Sequence, residues 1–172
     1  MINTRFRMST NKTKLPNYRI HWIKEQGYFH KTDAEVEALA FGNRFAFRLC
    51  TTFLLIGWIA ANVWILGGMM LVAFLGIVLP HHPFDYIYNH LLSERMGKPK
   101  LPRRSNQLKF ACSLATILIG VIIGLFASGM TTAGYVFGGT IMIIPILVST
   151  IDLCIPSKIY NALFLSKEGA SV

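Results

Sequence analysis

Long apolar runs separated by short charged ones set the organisation of this chain. From Phe110 through Ile151 no Lys, Arg, Asp, Glu or His interrupts the sequence. Such a run is about twice the ~20 apolar residues a helix needs to cross a ~30 Å hydrocarbon layer. A single straight helix would overshoot it, at ~1.5 Å per residue. Two helices folded back on each other fit, with the turn at residues 129–134. An earlier block, from Leu49 to Leu79, divides near residues 62–68 into helices over about 43–61 and 64–79. Both are at the short end of the spanning range, which leaves the full crossing of 64–79 open.

Each block ends in the same way. PHHPFDYIYNHLL follows the first, where prolines break the span and Phe84, Ile87, Tyr88, Leu91 and Leu92 share one helical face. CIPSKIYNALF follows the second, and a shift of 72 residues lays Ile87-Tyr88-Asn89 on Ile159-Tyr160-Asn161. Both segments read as amphipathic helices lying in the membrane interface. The predicted fold is an all-α membrane protein: four transmembrane helices as two tandem hairpins, each followed by an interfacial amphipathic helix. Because each unit holds an even number of spans, the two copies share one orientation about a pseudo-two-fold axis along the membrane normal.

The remaining segments are polar or basic. Residues 1–42 form a basic, aromatic arm, 43–92 the first hairpin with its interfacial helix, and 93–109 a basic linker. Residues 110–165 form the second hairpin unit and 166–172 a tail. Within the arm, residues 1–17 show no periodicity, read as loosely ordered, and lack the apolar run of a secretory signal. Tyr18, Trp22, Tyr28 and Phe29 then stand among Arg19, Lys24 and Lys31. That mixture suits a headgroup layer, or packing against the 80–109 loop. Thr32 and Glu35 make a capping box for a short helix through Phe41, ahead of a break at Gly42-Asn43.

Composition sharpens this picture. Of 172 residues, 53% are hydrophobic and only 15% charged, too few charges to cover two such blocks in water. The net charge of +9 would suggest nucleic acid in a soluble chain, but here the cations segregate by position. Nine of the 17 Lys and Arg lie in residues 1–48, six in 80–109 and two after Pro156, whereas the turns carry none. The positive-inside rule therefore places both termini and the middle loop in the cytoplasm. Lipid, not nucleic acid, is the expected partner.

Candidate chemistry is sparse. Cys112, Thr116, Gly120, Gly124 and Ser128 recur every four residues, a small-residue stripe for close helix packing within the chain or with another subunit. Pro145 is expected to kink the fourth span. Asp152, near the inner interface, is expected to pair with Arg44, Arg48 or Lys109 rather than to carry protons or substrate. His81, His82 and Asp85, with His90 nearby, form the one metal-like cluster. Pro83 lies inside it, no H-x-x-x-H or H-E-x-x-H spacing is present, and the expectation is no metal. No histidine lies within a predicted span, no nucleotide or serine-nucleophile motif appears, and no cofactor is expected. Cys50, Cys112 and Cys154 fall at the cytoplasmic ends of spans, where they read as buried small residues rather than a disulfide.

NRFAFR at the start of the first span, GKPKLPRRSNQLKFA before the second hairpin and DLCIPSKIYNAL at its end resemble a bacterial family of small four-helix membrane proteins known only as a domain of unknown function. The resemblance covers about residues 37–164. It implies a bacterial inner-membrane protein and brings no activity with it. Some members of that family carry a second cysteine three residues after the one matching Cys154; Ser157 stands there in this chain, so such a dithiol is absent.

Three functional expectations follow. The first is a non-catalytic accessory or structural subunit, packing in or beside a larger inner-membrane complex, including an energy-transducing one. The second is a small homo-oligomeric carrier or channel. A membrane redox or sulfur-handling protein is the third.

Overall fold

A computed structural model describes residues 15–165, so the 166–172 tail and most of the 1–17 segment lie outside the described residues. Seven helices and no strand occur within them. α1 (Asn17–Ile23) continues into a π turn, Lys24–Tyr28. α2 (Asp33–Ile59) starts at the expected capping box: Thr32 Oγ1 accepts the Glu35 N–H at 3.4 Å, and the Glu35 carboxylate accepts the Thr32 N–H at 2.8 Å.

α2 then runs for 27 residues without the break expected at Gly42-Asn43. Both residues serve sideways contacts instead. A Cβ on Gly42 would stand 2.5 Å from the Tyr88 ring, so glycine here lets an aromatic lie on the helix backbone. The Asn43 side-chain amide donates to Gln26 Oε1 at 2.9 Å. A division at 42/43 would therefore cut a continuous helix.

Asn62 caps α3 (Val63–Val78), its Oδ1 accepting the N–H groups of Trp64 and Ile65 at 3.0 and 3.1 Å. The chain bends by 79° into α4 (Pro83–Ile87), which ends in a second π turn, Tyr88–Leu92. Ser105 caps α5 (Asn106–Ala127), and Gly129, at φ 79°, turns the chain into α6 (Thr131–Ile151). That turn is shorter than the expected 129–134. Gly134 already lies within α6, where a Cβ would meet the Phe126 ring at 2.6 Å. Asp152 ends α6 in the left-handed conformation, and α7 (Ile155–Tyr160) passes into a third π turn, Asn161–Leu165.

α2, α5 and α6 are each long and apolar enough to cross a membrane, and α3 joins them if the bent α3–α4 pair counts as one span. The four long helices close a ring in which α2 and α5 each touch α3 and α6. Leu54, Leu66, Met69, Ile119, Ile122 and Met142 fill its centre. Trp64, Leu71, Val78, Ile117, Val136 and Ile143 face outward and stay exposed. Apolar side chains on both faces of the helices are what a lipid surround permits and water does not. In lipid, association rests on close backbone approach. Gly138 provides it: a Cβ there would lie 2.5 Å from the Trp58 indole.

A second cluster sits at the end of the bundle that carries the charged side chains. Ile20, Ile23 and Tyr28 from the arm pack with Val36, Leu39, Tyr88, Leu101 and Leu108. The arm thus packs against the 80–109 region. Gly27, at φ 103°, has no room for a side chain because Ser105 stands against it, and the Ser105 hydroxyl donates to Gln26 O at 2.5 Å.

Candidate functional site

Two polar centres lie side by side at the charged end. The first is Asp152, only 1% exposed. Arg44 grips it with two hydrogen bonds, Nε to Oδ1 at 2.7 Å and Nη2 to Oδ2 at 2.8 Å. Arg19, from the arm, donates through Nε to Oδ2 at 2.7 Å and through Nη2 to Thr150 O. The Gln26 amide donates to Asp152 O at 2.8 Å. The expected Arg44 pair therefore forms, while Arg48 donates to Ser149 O at 3.4 Å instead. Arg19 is not among the expected partners, because it lies in the arm, and no local pattern announces that the arm docks on the end of α6. One carboxylate, accepting three hydrogen bonds from two arginines, joins α1, α2 and the end of α6, an arrangement suited to holding elements together.

The second centre surrounds a cavity of about 120 Å³ in the bundle interior. Cys50 of α2, Cys112 of α5 and Cys154 ahead of α7 all line it, with His82 and Arg104. The cysteines' place at like ends of the predicted spans puts them at one level of the bundle, and the ring of helices turns them toward one cavity. His82, 2% exposed, accepts the Phe84 N–H on Nδ1 at 3.3 Å. Its proton therefore sits on Nε2, 3.9 Å from Cys50 Sγ. Burial, seconded by the charge of Arg104, pushes the imidazole down to about 3, so His82 is neutral at physiological pH. Burial likewise raises the Cys154 thiol, against the Ser157 hydroxyl that donates to its Sγ at 3.1 Å.

Among the described residues that line the cavity, Arg104 is the one cation, its side chain 5% exposed. Nη1 donates to Cys112 Sγ at 3.0 Å, and the backbone N–H donates to Pro80 O at 2.8 Å. Nε lies 3.3 Å from Asp85 Oδ2, near enough for attraction but not aligned for a hydrogen bond, and is left a buried donor without an acceptor. Behind it Tyr28 is pushed up to about 12 by burial and by the charge of Asp85, so its phenol keeps its proton.

The histidine cluster makes contacts within and beside α4. Asp85 Oδ2 accepts the His82 N–H at 3.1 Å, completing a capping box on α4, and the His81 ring packs on Tyr86. Among the described residues no three His, Cys, Asp or Glu side chains are arranged to hold a metal ion. The α5 stripe divides in two. Cys112 is buried, the Thr116 hydroxyl bonds back to Cys112 O at 2.8 Å, and a Cβ on Gly120 would meet Met70 Sδ at 3.6 Å. Gly124 and Ser128 are exposed, and nothing lies within 4 Å of a Cβ built on Gly124.

Residues 41–164 match the sequence profile of the family described as Domain of unknown function (DUF4395). The chain belongs to this family. No curated protein and no solved structure matches it. The match takes in Arg44, Arg104, Asp152 and the three cysteines but leaves Arg19 and Gln26, the arm's contacts with Asp152, outside.

Proposed function

We propose that this chain is a four-crossing protein of a bacterial inner membrane, with both termini in the cytoplasm, serving as a non-catalytic accessory subunit of a larger membrane assembly. Support for the crossings comes from the segregation of charge: Asp152, Arg44, Arg104 and Asp85 gather at one end of a bundle whose other surfaces are apolar. The two hairpins and the paired proline-started helices with π turns, α4 and α7, agree with a duplicated unit. The observation that carries the subunit role is the uncovered half of the α5 stripe, Gly124 and Ser128 beside exposed Ile117 and Val121, where another membrane helix can approach closely. A reporter inserted after Met130 that reads as cytoplasmic overturns the topology. Mild-detergent co-purification tests the role: Gly124→Leu should strip the partner while leaving the bundle intact, and a chain that elutes alone in both forms overturns it.

A second reading, thiol-based redox or sulfur handling, is favoured by the convergence of Cys50, Cys112 and Cys154 on one cavity. Replacing all three by Ala without a phenotype removes that reading. Transport has less in its favour, because Asp152 is held between two arginines rather than open to a substrate.

A further inference from the structure

The cavity beside Arg104 has the makings of a ligand site. Its volume of about 120 Å³ compares with the ~10–15 Å³ that one water requires on such a measure, so it has room for a ring-sized molecule. Leu54, Met69, Leu118 and Met142 form apolar walls in helices α2, α3, α5 and α6. At one end stands Arg104, buried, with an Nε–H that lacks an acceptor. A donor left so is destabilising, and an incoming oxygen would satisfy it as the guanidinium adjusts.

Charge balance narrows the ligand class. Arg104 already has Asp85 at 3.3 Å, and His82 is neutral. An ordinary thiol is also neutral near pH 7. The site is therefore net neutral, and an added carboxylate would leave an unbalanced charge in a buried space. The occupant must be apolar, carry a hydrogen-bond-accepting oxygen and bear no charge. A carbonyl on an apolar ring meets all three conditions.

We propose that this cavity binds a neutral, lipid-soluble carbonyl compound of the quinone class, its carbonyl oxygen directed to Arg104 and its ring held among α2, α3, α5 and α6. The site is independent of the subunit role. Decylubiquinone is the test probe, since full substitution of its ring disfavours thiol addition, and decanoate is the anionic control. Added to the full chain in lipid nanodiscs, decylubiquinone should raise the thermal midpoint in a saturable way. It should also slow N-ethylmaleimide labelling of Cys112, followed by residue-resolved mass spectrometry, by about tenfold; decanoate should do neither.

Arg104→Gln should weaken quinone binding about tenfold. Should that variant fail to fold, Ala115→Phe decides, because Ala115 lines the cavity and the larger ring fills it while leaving Arg104 in place. Loss of the quinone effect in Ala115→Phe, with unchanged elution, supports the site. The proposal is overturned by equal effects of decanoate and decylubiquinone, by no effect of either, or by full retention of the quinone effect in Ala115→Phe.

Discussion

Asp152→Asn isolates the charge that ties the arm to the bundle. Asp152 has φ 69°, a left-handed conformation that Asn also adopts readily, so the substitution leaves the backbone preference intact. What it removes is the negative charge between Arg19 and Arg44. Breaking a buried ion pair by neutralising one partner costs about 3–5 kcal/mol. The arginine side chains are 18% and 16% exposed, so water offsets part of this and about 2–4 kcal/mol is expected. For a chain of this size that lowers the thermal midpoint by on the order of 10 °C. The assay is a thermal scan in mild detergent, with limited trypsin digestion after Arg19 and Lys24 as a local readout of arm release. Arg19→Met should be less costly in the Asp152→Asn background than in the native chain. A loss below about 1 kcal/mol, or additive single and double variants, would refute a shared electrostatic centre.

Four further outcomes follow from the structure. His82 titrates near 6.5 when unfolded and near 3 when folded, so it takes up protons more readily in the unfolded chain between those values. Stability should fall as pH drops below 6.5, by up to ~1.4 kcal/mol per unit, and His82→Asn should flatten that slope in melting curves against pH; parallel curves would refute it. Gly138→Leu, which drives a side chain into Trp58, should cost about 1–3 kcal/mol or more in the same scan, whereas Gly67→Ala, with nothing within 4 Å, should be neutral or stabilising. Thr32→Ala removes the capping box of α2 and should cost about 0.5–2 kcal/mol, seen as earlier fraying in hydrogen exchange. Asn62→Ala removes the acceptor for two N–H groups at the start of α3 and should cost about as much.

The apolar run from Phe110 to Ile151, the proline breaks and the Thr32–Glu35 box were each readable because they are local. Hydropathy sets which segments can enter lipid, and a cap depends on residues three apart; neither needs a tertiary neighbour. The Asp152–Arg44 pair was within reach for a different reason: a charge at membrane depth demands a partner, and few were on offer. Gly42-Asn43 misled because a glycine that ends a helix and one that admits a neighbouring ring look alike until Tyr88 is in place. Arg19 on Asp152, and the three thiols around Arg104, belong to no local pattern. They meet because four helices close into a ring and an arm folds over its charged end, and such contacts are fixed by packing between segments far apart in the chain.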